Sequence, residues 1–370
     1  MKYYLIAGEA SGDLHGANLI KALAKAAPES QFRCWGGDKM EEAGATVVKH
    51  YRDLAFMGFL EVVKNLNTIL GNFKFCKQDI EAYLPDVIIF IDYPGFNLRM
   101  LKRLTHLSAK KFYYISPQIW AWHTSRVHMI KALVDRMFVI LPFEKAFYQK
   151  HDMDVDFAGH PLLDELANRQ PDTSFHKRYQ LSDQKIIALL PGSRKQEIRR
   201  MLSVMLTMVD QFPDYQFVVA GAPAMSDEVY THTIGEVKAT LIRNETYSLL
   251  EHAHTALVTS GTATLETALF KVPQVVCYSG NKLSYRLAKK LVKVDYISLV
   301  NLIRNKKVVT ELIQDDFNPV LLKKELSAIL ETKTHDALIS EYEILNRELG
   351  GAGASERAAA LMVSYLKPMA

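Results

Sequence analysis

The sequence predicts an α/β protein of two Rossmann-like, doubly wound domains that face each other across a cleft. The chain has 370 residues, which is more than one hydrophobic core usually supports. Short, almost wholly apolar runs end in turn residues and lead into helical patterns, as is typical of parallel strands covered on both faces. This series stops at a polar, turn-rich stretch, 168–183, and then starts again. Two βαβ series joined by a linker are therefore expected.

The first series contains four apolar runs. They are Tyr3–Ala7, Asp86–Ile91, Lys111–Ile115 and Arg136–Leu141. The first run passes through a Gly- and Ser-containing turn, 8–13, into a helical pattern that closes before Pro28. We assign residues 1–167 to this first domain.

The second series begins after the predicted linker. Its runs are Lys185–Leu190, Gln216–Ala220, Ala256–Val258 and Gln274–Cys277. We assign 184–345 to the second domain and 346–370 to a tail with an amphipathic helix at Ser355–Leu366. Ligands of doubly wound folds bind beyond the carboxyl ends of the strands, so the turns after these runs should line the cleft.

Composition excludes several classes of protein. With 49% hydrophobic and 23% charged residues and a formal net charge of +4, the chain is typical of soluble globular proteins and lacks the basic excess of a nucleic-acid binder. The cysteines (Cys34, Cys76, Cys277) are scattered, which argues against a zinc site or disulfide framework and fits a reducing cytoplasm. No secretory signal and no run of about 20 apolar residues is present, so membrane contact would be peripheral.

The segment Ser260–Glu266 combines a strand end, a small-residue turn and a helix start. Unpaired N–H groups and the helix dipole at Ser260, Gly261 and Thr262 would attract an anion such as a diphosphate. Glu266, four residues after Thr262, could accept hydrogen bonds from both hydroxyls of a ribose. An ordinary Ser/Thr N-cap with a capping-box glutamate explains the same residues equally well.

A second turn of this kind follows Lys185–Leu190. Gly192 allows close backbone approach, Ser193 can cap a helix, and Arg194 can donate two parallel hydrogen bonds to a phosphate. The alternative is an arginine that is solvated or paired with Glu197. Two such turns in one domain favour a diphosphate site, and the absence of a Walker A loop disfavours ATP-type phosphoryl transfer.

Asp92 is the candidate catalytic residue of the first domain. It directly follows the apolar run 87–91, where its carboxylate could take a proton from an attacking hydroxyl; an Asx-turn cap is the alternative. Asp13 is either the N-cap of the first helix or a carboxylate aimed at an acceptor. Spacing alone favours ordinary structural roles for three histidines, His15, His123 and His160.

Two segments carry apolar and basic residues together. Leu54–Lys77 holds twelve large apolar residues with interspersed lysines, and the pattern of Leu283–Lys293 predicts a basic amphipathic helix. Both suit an anionic membrane surface. A core helix pair is the alternative for the first, and an ordinary surface helix for the second.

Taken together, the motifs resemble one family, the lipid-A-disaccharide synthases. The ordered set runs from residue 5 to about residue 314 and comprises Ala7–Asp13, Met57–Val62, Ile91–Asn97, Tyr114–Trp122, Leu141–Glu144, Gly159–Leu162, Leu190–Arg194 and Ser260–Glu266. Each motif is weak by itself, whereas their order is highly specific.

This resemblance implies an inverting glycosyltransferase of the GT-B fold with no metal or other cofactor. The donor would be UDP-2,3-diacylglucosamine, the acceptor 2,3-diacylglucosamine 1-phosphate, and the products a tetraacyl disaccharide 1-phosphate and UDP. The enzyme would lie on the inner face of the bacterial inner membrane and could form a homodimer. The first domain would be the acceptor and membrane side, and the second would bind the UDP-sugar.

The resemblance also carries roles to individual residues. The essential aspartate falls on Asp92, and Gly95 stands where many relatives have a second acid, which favours Asp92 as the base. The phosphate-binding arginine falls on Arg194 and the ribose-side glutamate on Glu266. The residues expected on the acceptor side are Ser11, Asp13, His15 and Asn97.

Two other kinds of function remain open from the sequence. One is another GT-B reaction, either transfer to a lipid-linked peptidoglycan precursor or epimerisation of UDP-N-acetylglucosamine. The other is a non-catalytic protein that binds nucleotide sugars. Asp92 together with an intact 260–266 turn speaks against the second, and an exposed apolar surface at 54–77 would speak against an epimerase.

Overall fold

The structure is a computed structural model that describes residues 1–54, 66–223, 225–281, 285 and 294–366. The chain divides into two compact units. The first combines Met1–Ala167 with Leu349–Ala370, and the second is Asn168–Glu348. Each unit is built on its own sheet, and we describe them separately.

The first unit contains a sheet of seven strands in its described residues, all parallel. They are β1 (Lys2–Ile6), β2 (Gln31–Gly36), β3 (Thr46–His50), β4 (Val87–Ile91), β5 (Lys110–Tyr114), β6 (Arg136–Val139) and β7 (Asp156–Phe157). Their order is β3-β2-β1-β4-β5-β6-β7. The chain moves outward from β1 to one edge and then from β4 to the other, so the topological switch point lies between β1 and β4.

Helices cover both faces of this sheet. They are α1 (Ala10–Ala26), α2 (Asp38–Glu42), α3 (Leu66–Tyr83), α4 (Pro94–Arg103), α5 (Ile119–Trp122), α6 (Arg126–Leu133), α7 (Pro142–Gln149) and α8 (Leu162–Ala167). Along β1, Tyr3 and Leu5 belong to one buried cluster while Tyr4 and Ile6 belong to the other, and all four are fully buried. Burial of alternate side chains on two faces explains why the run is apolar throughout.

The second unit repeats the plan with a parallel sheet of six described strands. They are β8 (Ile186–Leu190), β9 (Gln216–Gly221), β10 (Ala239–Arg243), β11 (Ala253–Thr259), β12 (Gln274–Tyr278) and β13 (Thr310–Ile313). The order β10-β9-β8-β11-β12-β13 places the switch point between β8 and β11. The two turns predicted to bind a diphosphate follow these two strands.

The described helices of the second unit complete its layers. They are α9 (Phe175–Arg178), α10 (Lys195–Leu206), α11 (Asp227–Ile234), α12 (Thr246–His252), α13 (Thr262–Leu269), α14 (Leu299–Arg304), α15 (Pro319–Leu330) and α16 (Thr332–Glu348).

The stretch predicted as a linker, 168–183, is part of the second unit. It carries α9, and the Phe175 ring is fully buried in the same apolar cluster as Ile186 and Leu249. The prediction of a linker was wrong because Phe175 is buried in the core, Tyr179 and Leu181 pack against the same cluster, and Arg169 pairs with Glu251.

The tail belongs to the first unit, and it begins later than predicted because α16 continues to Glu348. Its helix, α17 (Ala354–Leu366), buries Ala358, Ala359 and Met362 in the cluster that also holds α1 side chains. The Asp164 carboxylate accepts hydrogen bonds from the N–H groups of Gly353, Ala354 and Ser355 at 2.6–2.9 Å. A carboxylate that satisfies free N–H groups at a helix start is a strong N-cap.

The predicted membrane segments lie partly outside the described residues. Of Leu54–Lys77, residues 55–65 are not described; within the rest, Phe73 and Cys76 are buried, whereas Leu70 and Phe75 are 52% and 44% exposed. Of 283–293, only Tyr285 is described. No helix in the described part of the chain is long and apolar enough to cross a bilayer.

Candidate active site

A cavity of about 230 Å³ opens at the switch point of the second unit. Its walls come from the turns after β8, β9 and β11 and from the start of α12. Six of the seven residues predicted to bind the nucleotide line it, namely Gly192, Ser193, Ser260, Gly261, Thr262 and Glu266. The topology therefore brings together two turns that lie almost 70 residues apart in the sequence.

The turn after β11 leaves the start of α13 open. Gly261 is the N-cap residue, and no side chain caps the helix. Its backbone is extended, with φ 166°, and no atom lies within 4 Å of the position that a Cβ would occupy. The Ser260 hydroxyl donates to the carbonyl of Ile297 at 3.0 Å instead of capping α13. The alternative interpretation of this motif as a Ser/Thr capping box is thus wrong.

Glu266 is also free of a capping role. It is half-buried, and one of its carboxylate oxygens accepts a hydrogen bond from the Tyr247 hydroxyl at 3.3 Å. Burial raises the pKa of Glu266, and the bond from Tyr247 opposes this shift. A carboxylate at the cavity wall can accept further hydrogen bonds from ligand hydroxyls.

The turn after β8 requires a glycine. Gly192 has φ +102°, a conformation that other residues adopt with strain. The Glu197 carboxylate accepts the Ser193 N–H at 3.2 Å and lies 2.3 Å from the position of a Cβ on Gly192. An anion bound to that N–H must take the place of this carboxylate.

Arg194 is the predicted nucleotide-binding residue that does not line the cavity. It is the N-cap of α10, and its side chain is exposed. Within the described residues it forms no ion pair, so the alternative pairing with Glu197 is not made. The side chain is free to turn toward an anion beside Ser193.

Sequence reasoning missed a residue that lines this cavity. Thr259, the last residue of β11, has a buried hydroxyl with no hydrogen-bond partner in the described part of the chain. A threonine that ends a strand next to a Ser-Gly-Thr turn was the available signal. Glu197, considered only as a partner of Arg194, also lines the cavity.

In the first unit, Asp92 directly follows β4 at the switch point. It lines a cavity of about 300 Å³ formed by residues after β4, β5 and β6. Asp92 and Tyr93 both have a left-handed backbone, with φ 43° and 45°. Such conformations cost roughly 1–3 kcal/mol each and persist only where surrounding contacts fix them.

The contacts that fix this turn are identifiable. The Asp92 carbonyl accepts hydrogen bonds from the Tyr113 hydroxyl at 2.6 Å and the Asn97 amide at 2.8 Å. The Tyr93 ring lies where a Cβ on Gly8 would be, only 2.3 Å from that position, so residue 8 must be glycine. The motif 7–13 therefore supports the turn that presents Asp92.

The environment of Asp92 suits a general base. Burial, together with repulsion from Glu9, raises its pKa to about 6, and a hydrogen bond from the Tyr93 N–H partly offsets the rise. A carboxylate with a pKa close to working pH is both ionised and basic enough to accept a proton.

The residues predicted on the acceptor side do not line the Asp92 cavity. Asn97 is fully buried and its amide bridges the carbonyls of Ile91 and Asp92, so it positions the turn. Asp13 is 2% exposed, and its carboxylate accepts the N–H groups of residues 37, 39 and 40, so it caps α2. The interpretation of Asp13 as the N-cap of α1 is wrong, because Glu9 is that residue. A role of Asp13 toward the acceptor stays a prediction.

The structure gives the other two residues predicted on the acceptor side, Ser11 and His15, no contact that supports that role. Ser11 is exposed in the first turn of α1. His15 has a buried Nδ1 with no partner in the described residues, and burial lowers its pKa to about 4. His15 is therefore neutral at physiological pH.

Glu144 and Arg126 share the cavity with Asp92, and sequence reasoning assigned neither a function. The Glu144 carboxylate accepts the N–H groups of Ile140 and Leu141 and the Trp120 indole N–H, at 3.0–3.3 Å. Burial raises its pKa to about 7, against the effect of these bonds. Leu141 is the N-cap residue of α7, so the bond from its N–H to Glu144 also stabilises the start of this helix. The first role of Glu144 is thus to hold the turn after β6.

Comparison with known proteins shows the family to which the chain belongs. The family model for lipid-A-disaccharide synthetase matches residues 3–363. The synthase of Syntrophus aciditrophicus is 40% identical over 98% of this chain and 97% of its own length. That of Trichlorobacter lovleyi is 38% identical, with the same coverage. The chain belongs to the lipid-A-disaccharide synthase family.

It is therefore a glycosyltransferase of lipid A biosynthesis, and the prediction of family and enzyme class is confirmed. Solved structures support the fold. A UDP-GlcNAc 2-epimerase from Neisseria meningitidis, bound to UDP-GlcNAc, has a TM-score of 0.66 at 13% identity and covers 99% of both chains. The calicheamicin glycosyltransferase has a TM-score of 0.61 at 14% identity, over 98% of both chains. The predicted class of two Rossmann-like domains is confirmed, and the synthase relatives do not favour the epimerase and binding-protein alternatives.

Proposed function

We propose that this chain condenses UDP-2,3-diacylglucosamine with 2,3-diacylglucosamine 1-phosphate by direct displacement, with inversion at the anomeric carbon of the donor. The products are the lipid A disaccharide 1-phosphate and UDP. Asp92 takes the proton from the primary hydroxyl of the acceptor as its oxygen attacks, and the bond from the anomeric carbon to the UDP oxygen breaks. The second unit holds the diphosphate that leaves.

The donor half of this proposal is supported by the cavity at β8 and β11. The open start of α13 offers N–H groups without acceptors inside the helix, together with the positive end of its dipole. The N–H groups around Ser193 and Thr262 would bind the diphosphate, and Arg194 would add a mobile cation. Such donors stabilise the negative charge that develops on UDP. Glu266, at the wall of the same cavity, would accept from the ribose hydroxyls.

The acceptor half depends on one observation, the carboxylate of Asp92 in a fixed left-handed turn at the switch point, lining a cavity. Its raised pKa and its position at a strand end are what a general base for a sugar hydroxyl needs.

Replacing Asp92 by asparagine tests this assignment, because the two side chains have nearly the same shape and asparagine also tolerates left-handed backbone. We expect UDP binding to be kept and kcat to fall by about 10²–10⁴-fold. Asp152→Asn is the matched control, since Asp152 is exposed and has φ 52°. UDP release and disaccharide formation are followed by mass spectrometry with both acylated sugars. Near-normal transfer by the Asp92 variant would eliminate it as the base.

The proposal extends to peripheral binding at the inner face of the bacterial inner membrane. Leu70, Phe75 and Lys74 are exposed on α3, within the apolar and basic segment identified in the sequence. Apolar side chains with a neighbouring lysine suit an anionic lipid surface. Sedimentation with anionic liposomes at low salt should capture the protein, and Leu70→Ser with Phe75→Ser should weaken capture. Equal capture of this variant would remove α3 from the interface. A homodimer is also part of the proposal, and sedimentation equilibrium tests it.

A further inference from the structure

Arg126 is a cation in the Asp92 cavity that the mechanism above leaves without a task. It is the first residue of α6, is half-buried, and lines the cavity formed after β4, β5 and β6. Within the described residues its guanidinium makes no ion pair and no hydrogen bond. Other half-buried arginines of this unit are engaged: Arg33 binds Asp79 through two nitrogens, and Arg357 donates to backbone carbonyls.

The two acids of the cavity, Asp92 and Glu144, form no ion pair with Arg126. Glu144 is satisfied by backbone and indole N–H groups. A guanidinium paired with Asp92 would lower the pKa of that carboxyl, yet the pKa is raised to about 6 and Glu9 is its charged neighbour. The cavity thus holds a cation that no acid of the described residues neutralises.

Gln118 lines the same cavity as this arginine. Its side chain is exposed and makes no hydrogen bond with the described residues. An amide N–H and a free guanidinium in one cavity are a donor set for a tetrahedral oxyanion, because arginine binds phosphate through two parallel hydrogen bonds.

We propose that Arg126, assisted by Gln118, binds the phosphate of the acceptor sugar. This inference rests on the proposed function, which supplies an acceptor that is a sugar phosphate. Asp92 and Arg126 line one cavity, so the two ends of the acceptor are held by different groups. The phosphate fixes the sugar while its primary hydroxyl meets the base, which lowers the entropy cost of reaching the transition state. Arg126 is then a binding and specificity residue and takes no part in proton transfer.

The test compares acceptors with and without the phosphate. Wild type, Arg126→Ala and Arg126→Lys are assayed with 2,3-diacylglucosamine 1-phosphate and with 2,3-diacylglucosamine. Arg99→Ala is the matched control, because Arg99 is exposed on α4 and outside the cavity lining. For the phosphorylated acceptor, we expect kcat/KM of Arg126→Ala to fall by at least about 10- to 150-fold, since even one hydrogen bond to a charged group contributes that much. For the dephosphorylated acceptor, wild type and variant should be alike, and lysine should recover part of the loss.

A direct binding measurement separates this inference from the proposed function. Titration of UDP-bound protein with glucosamine 1-phosphate and with glucosamine, followed by ligand NMR, requires no transfer. Arg126→Ala should lose the preference of wild type for the phosphorylated sugar while keeping a native circular dichroism spectrum. The proposal is overturned if the variant keeps that preference, or if it loses activity equally with both acceptors. Failure of wild type to form any disaccharide would refute the proposed function but leave this binding result readable.

Discussion

Replacing Gly261 by alanine should weaken UDP binding without unfolding the protein. Gly261 has an extended backbone that any residue adopts, and nothing lies within 4 Å of the added Cβ. The methyl group would stand beside the open N–H groups of α13, in the cavity proposed for the diphosphate. The fold does not need the space that glycine leaves there, so we expect only ligand binding to depend on it.

The expected magnitudes differ for stability and binding. Alanine is a poorer N-cap than glycine by several tenths of a kcal/mol, but it loses less backbone entropy on folding, which returns about 0.4–1 kcal/mol. The free energy of unfolding should stay nearly constant. Displacing the diphosphate from one N–H costs about 1.5–3 kcal/mol, equivalent to about 10- to 150-fold in the dissociation constant of UDP.

Calorimetric titration with UDP and urea denaturation measure the two quantities. Gly71→Ala is the control for the substitution itself, because Gly71 lies in α3 and also has free space around it. Gly192→Ala gives the contrast: its φ of +102° should cost stability, by roughly 1–3 kcal/mol. Unchanged UDP affinity in Gly261→Ala would show that the diphosphate does not bind at the start of α13.

Three further outcomes follow from the first unit. Because Asp92 must be ionised to act as a base, kcat/KM should fall by about tenfold per pH unit below pH about 6. Glu9→Gln removes a repulsive charge, so the fall in kcat/KM should begin at a lower pH in this variant. An unchanged pH profile would show that another group titrates. Asn97→Ala should lower the free energy of unfolding by about 1–3 kcal/mol in urea titration and lower kcat with UDP affinity kept; full kcat would show that the Asp92 turn holds without it. Asp164→Ala should cost about 0.5–2 kcal/mol and speed hydrogen exchange in α17, whereas unaltered exchange there would mean that packing alone holds the tail.

The sequence was sufficient for the strands at the centre of each sheet and insufficient for the outer ones, which include β2 next to the edge strand β3. Strands β1, β4, β8 and β11 are buried on both faces and read as continuous apolar runs. Edge strands such as β3 and β10 are half-exposed along most of their length and carry polar residues, so their pattern did not stand out. The outer strands were not needed to locate the candidate sites, because in a Rossmann-like sheet the central strands alone determine the switch point.

The candidate site shows the same division. Turns that directly follow a central strand were found from the sequence, since strand ends and glycines are local signals. The sequence did not reveal that Asp13 serves the backbone, because the N–H group it accepts at residue 37 is distant in sequence. It did not reveal the role of Asn97 either, although the carbonyls of Ile91 and Asp92 are close to it, because those partners are backbone atoms of the turn itself. Polar side chains at a motif can serve the backbone as readily as a ligand, and only the partners distinguish the two.

The return of α17 to the first unit affects the order in which the chain can assemble during synthesis. The face of α1 that receives Ala358 and Met362 is not covered until α17 has left the ribosome. At about 5–20 residues per second, translation from residue 167 to residue 366 takes roughly 10–40 s. Throughout that interval the first unit has an apolar surface uncovered, and the second unit has its whole sequence before α17 is made. The half of the enzyme made first is thus the half completed last, and it is the one that would depend on chaperones in the cell.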